Sequence, residues 1–122
     1  MAIPVHGNKP MRTFDVNALV AEIASANQAW HEILRASTLS MGIYRLKTGQ
    51  RDQQQPHGED EVYYVVAGKA RFRSGEQQME VGPGTLIFVE RLAEHRFFDI
   101  AEDLTVLVFF APPEGSQGKA ST

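Results

Sequence analysis

From residue 38 to 111 the chain is a succession of short β-branched and aromatic runs, each cut off by glycine or proline. That rhythm restricts the fold more than any other feature. Runs at 39–46, 61–67, 69–73, 78–81, 86–89, 94–99 and 104–111 read as strands. Gly49, Gly68, Ser74-Gly75-Glu76, Gly82-Pro83-Gly84 and Pro112-Pro113 read as the breaks between them. Strands this short cannot bury an apolar face alone, so the pattern predicts an all-β barrel or sandwich.

Ahead of the strands the period changes. Asp15 is a candidate N-cap. Leu19, Val20, Ile23, Trp30, Ile33 and Leu34 follow at roughly helical spacing. This predicts one amphipathic helix over about 16–34, interrupted near 25–27 and packed outside the barrel. Pro4, Gly7 and Pro10 make the first residues an extended arm. Residues 113–122 have no apolar anchor and read as a disordered tail. The expected organisation is an arm and helix over 1–37, a barrel over 38–112 and the tail.

Bulk properties exclude several classes. A chain of 122 residues supports a single domain with a real core. Without cysteine there are no disulfides, thiolate ligands or thiol nucleophiles. The formal charge of -3 and scattered basic residues argue against nucleic acid, and Arg71 with Arg73 reads as a solvated strand face. No apolar run reaches bilayer-spanning length, and residues 1–11 lack a signal-peptide core, so the cytoplasm is the expected location. No Ser-His-Asp order, phosphate-cradling glycine loop or glycosidase carboxylate pair can be assembled.

What remains is a set of spaced donors. Gln55 and His57 are two apart and share a strand face, Glu61 lies just beyond, and His95 follows in a second ordered stretch. Two imidazoles and a carboxylate suit Fe(II), Mn, Co, Ni or Zn and can leave positions open for a ligand. Glu61 shares its face with Tyr63 and Val65, so it points toward the apolar interior, where a carboxylate needs a partner and a cation provides one. His6 and His31 belong to no pattern and read as solvent-facing. Arg45 is read as exposed rather than as a ligand-pairing group at the barrel mouth.

These residues resemble the cupin superfamily. Its first motif, G-x5-H-x-H-x3,4-E-x6-G, stands here as Gly49, Gln55, His57, Glu61 and Gly68, with glutamine for the first histidine. Its second, G-x5-P-x-G-x2-H-x3-N, stands as Gly84, Glu90, Leu92, His95 and Asp99, so that the Gly and His match and the Pro, second Gly and Asn do not. The resemblance spans about residues 38–112. It implies a double-stranded β-helix, or jelly roll, and makes His57, Glu61 and His95 ligands of one divalent metal. Gln55 is either a fourth, harder ligand or holds a metal-bound water.

Tyr63, an inward phenol two positions from Glu61, is the candidate to hand a hydrogen bond or proton to substrate, with core packing as its competing role. Two functions follow: a metal-dependent dioxygenase, isomerase or lyase acting on a small oxygen-rich acid or sugar-like substrate, or a non-catalytic small-molecule-binding module. The resemblance also suggests a homodimer through outer strands or the N-terminal arm.

Overall fold

The computed structural model describes residues 11–53 and 56–117. Its elements are α1 (Val16–Glu22), β1 (Trp30–Arg35), β2 (Ser40–Leu46), β3 (Asp60–Ser74), β4 (Gln77–Val81), β5 (Leu86–Val89) and β6 (His95–Ala111). Asp15 caps α1 by accepting from the Ala18 amide at 3.0 Å. The helix stops at Glu22, short of the predicted residue 34. Trp30, Ile33 and Leu34 lie on a strand paired antiparallel with β2. Their spacing suits a helix, but the pairing with β2 outweighs that local preference. Gly42 of β2 makes room for it, since a Cβ there would meet the His31 carbonyl and the Trp30 ring.

All pairings are antiparallel, in the order β1-β2-β6-β3-β4, with β5 also on β3. Residues 61–67 and 69–73 are one strand, not two, and 94–99 and 104–111 likewise merge into β6. Both long strands change register around Gly68, which has φ of 96°. A bulge increases local bending and twist, so β3 and β6 run through both halves of a rolled sheet. Its inner face carries Tyr63, Val65, Phe72, Phe97, Leu104, Val106, Val108 and Phe110. Tyr63, Phe72 and Phe97 meet edge to face with centroids 4.8–5.7 Å apart, an arrangement aromatic rings favour.

Arg45 points outward, not into the mouth. Its Nη1 donates to the Ile23 carbonyl at 2.6 Å and fastens the C-terminus of α1 to β2, a favourable place for a cation. The start of the predicted tail is also fastened. Pro113 is buried, the Glu114 amide donates to Ser40 Oγ at 2.9 Å, and the Gln117 amide donates to Glu59 Oε2 at 2.9 Å. The arm with His6, Gln55 of the first motif and residues 118–122 lie outside the described residues.

Candidate metal centre

Strand alternation turns Glu61 of β3 inward beside Tyr63 and Val65. His95 opens β6 from the neighbouring strand, and the two side chains are 1% and 2% exposed. Glu61 Oε1 stands 2.9 Å from His95 Nε2. The other ring nitrogen, Nδ1, lies 2.8 Å from the Ala93 carbonyl. A carbonyl only accepts, so Nδ1 carries the proton and the neutral ring presents its Nε2 lone pair to Glu61.

That contact has the length of an ion pair but not the alignment of a hydrogen bond. Among the described residues, neither Nε2 nor Glu61 Oε2 has a hydrogen-bond partner. Burial alone would lower the His95 pKa, but the Glu61 carboxylate and the Ala93 carbonyl outweigh it and raise the value. Both effects have one meaning: a lone pair facing a buried carboxylate calls for a positive charge between them, either a proton or a metal ion. Two ligands about 2.1 Å from one ion stand roughly 3.0–3.4 Å apart at octahedral to tetrahedral angles. The observed pair needs little or no opening to reach that range. The Ala93 carbonyl also supplies the outer hydrogen bond that orients a metal-binding imidazole.

His57 does not join them. It is half-buried, its ring is edge-on to Phe110 at 5.4 Å, and Phe110 is the register partner of Glu61 across β3–β6. His57 thus packs on the aromatic ring that neighbours Glu61 across the two strands. Glu114 feels the charge of His57, and burial raises its carboxyl above the ordinary value against that pull. Among the described residues no three His, Asp or Glu side chains are arranged to hold a metal. Tyr63 is fully buried, with its ring centroid 5.9 Å from that of His95.

Two buried carboxylates, Asp52 and Glu59, carry no sequence signal. Asp52 is buried beside His95, where its oxygens accept from Tyr44 Oη at 2.7 Å and from the Phe97 amide at 2.9 Å. Burial, then the Asp52 charge, pushes the Tyr44 phenol well above its ordinary pKa, so it stays a donor. Glu59, part of an exposed-looking acidic run, is 1% exposed, and its Oε1 has no hydrogen-bond partner among the described residues. Polar loop residues of this kind have no periodicity from which burial could be read.

With the sheet and the Glu61–His95 pair placed, comparison with known proteins decides the family. A family model described as cupin domain matches residues 42–110. The chain belongs to the cupins. An uncharacterized protein of Streptomyces coelicolor, SCO3923, is 41% identical over 104 residues, 85% of this chain and 99% of that one. Among solved structures, an uncharacterized double-stranded β-helix protein of Klebsiella pneumoniae superposes with a TM-score of 0.72 at 18% identity, covering 90% of this chain and 96% of that one. The DMSP lyase DddQ of Ruegeria pomeroyi gives 0.59 at 22% identity, with 62% of this chain covered. The cupin chain spans only 39% of that lyase, and the likeness shows the fold alone.

The second cupin motif departs from its pattern at Leu92, where the family has glycine. Leu92 nevertheless keeps a φ of 68°, in the left-handed region that glycine favours. Its amide donates to the His57 carbonyl at 2.6 Å, so this turn ties the first motif to the second despite the substitution.

Proposed function

We propose that this cupin binds one divalent ion, Fe, Mn, Ni, Co or Zn, at Glu61 and His95, with His57 and Gln55 as the further donors. On this reading it acts on a small oxygen-rich acid or sugar-like substrate by dioxygenase, isomerase or lyase chemistry. The observation that carries it is the buried, misaligned contact of His95 Nε2 with Glu61, in a ring whose tautomer the Ala93 carbonyl sets. When bound, such an ion supplies Lewis-acid polarisation of a substrate oxygen and, for iron or manganese, a place for O2. Glu61 contributes the negative charge and His95 a fixed lone pair. Tyr63, on the face of Glu61 and against the His95 ring, is the candidate donor of a hydrogen bond or proton to substrate.

A second reading, a non-catalytic small-molecule-binding cupin, is favoured by one observation: among the described residues only two of the donors converge. One experiment separates the two. Protein purified without chelators is analysed for metals, then assayed for O2 uptake and for elimination or isomerisation of small hydroxy and keto acids. The enzyme reading predicts about one metal per chain and turnover that chelation abolishes. Metal without turnover, but with binding of an acid, supports the module. Metal-free protein that no divalent ion reconstitutes overturns both metal assignments.

The chain is further proposed to form a homodimer through the outer face of β3 and β5. Leu86 and Phe88 are 68% and 62% exposed there, opposite Tyr64 and Val62 in register. An exposed apolar face of this kind has no charge pattern to select a different partner, and a second copy covers it symmetrically. Sedimentation equilibrium is expected to show a dimer that Phe88→Glu dissociates; a wild-type monomer at all concentrations removes the proposal.

A further inference from the structure

On the face of the sheet opposite His95, two like charges are paired. Arg73 of β3 is the register partner of Arg96 of β6, and like charges directly opposite on an antiparallel pair repel. Both line a groove of about 460 Å³ with Arg51, Phe98, Asp99 and the backbone around Gly49. Arg71 and Arg73 hold their guanidinium carbons 5.7 and 5.8 Å from the centre of the Phe98 ring, within cation–π reach of it. The ion pairs found among the described residues are Arg35–Glu32, Lys69–Glu102 and His95–Glu61, and none of them involves Arg51, Arg71, Arg73 or Arg96. Asp52 lines the groove too, so three arginines face two carboxylates there. Asp99 is the other carboxylate on the lining.

We propose that Arg51, Arg73 and Arg96 form a binding site for a small molecule bearing an oxyanion, a carboxylate or a phosphate. The guanidinium fork matches both groups through paired hydrogen bonds. Bound between β3 and β6, the anion turns the Arg73–Arg96 repulsion into a bridge. The groove volume is that of a metabolite-sized site. The solvated strand face expected for Arg73 is thus a recognition surface. This goes beyond the proposed function and does not depend on the metal.

Thermal denaturation in phosphate, in succinate and in chloride at matched ionic strength tests it. The oxyanion is expected to raise the wild-type midpoint by about 3–5 °C beyond chloride at saturating concentration. A shift with phosphate alone assigns a phosphoryl ligand, with succinate alone a carboxylate, and with both an oxyanion of either kind. Arg73→Gln and Arg96→Gln are each expected to weaken binding about tenfold, by loss of a charge-assisted pair. Because either change removes a repulsion, the variant should fold at least as stably as wild type without ligand. Equal shifts in chloride, or a Gln variant that keeps the full shift, overturn the proposal.

Discussion

Replacing His95 with alanine is expected to cut bound metal from about one per chain to under a tenth and to destabilise the protein even without metal. The second effect arises because, without metal, a proton between Glu61 and His95 makes them a buried charge pair, and removing one partner of such a pair costs about 3–5 kcal/mol. Glu61→Gln should separate the two losses. It too removes metal binding, yet it leaves a neutral group beside His95, so the metal-free protein stays within about 1 kcal/mol of wild type or gains slightly. His57→Ala provides the third arm. The side chain is half-buried, so stability changes little, whereas metal affinity falls about tenfold to a hundredfold if the histidine closes onto the ion. Metal analysis, chelator titration and denaturant midpoints on the three variants read each effect independently.

The second large effect is structural. Gly68→Ala is expected to cost about 3–5 kcal/mol, lowering the melting midpoint by about 10–20 °C. Gly68 has φ of 96°, where an L side chain is strained, and its added Cβ would meet the Asp103 carbonyl and the Leu104 backbone. Backbone cannot step aside as a flexible side chain can. At the other end of the first motif, Gly49 has φ of 83°, but a Cβ added there would meet nothing within 4 Å. Gly49→Ala should therefore cost only the conformational strain, about 1–2 kcal/mol. Calorimetry on the pair separates crowding from backbone strain; equal losses would contradict this account of the Gly68 bulge.

The strands were legible wherever one face is buried. The alternation Glu61, Tyr63, Val65 predicts the inward carboxylate, and the structure buries all three. Asp15 was readable as a cap because the capping interaction is local. Trp30 to Leu34 was not readable as a strand, because its spacing fits a helix and the deciding feature, the space at Gly42, lies on another strand. Register has the same non-local character. Arg71 and Arg73 read as a solvated face, and only the register shows Arg96 opposite Arg73 on it. Glu59 looks exposed until the Gln117 amide reaches it. At the candidate centre, motif spacing nominates the donors but does not show that His57 packs on Phe110.

The central claim is that Glu61 and His95 share a cation. An anomalous difference map, collected at the metal edge from crystals of protein loaded with a single divalent ion, tests it most directly. The account predicts one peak about 2.0–2.3 Å from both Glu61 and His95 Nε2. A loaded crystal with no peak there, or with its metal on other residues, would contradict it.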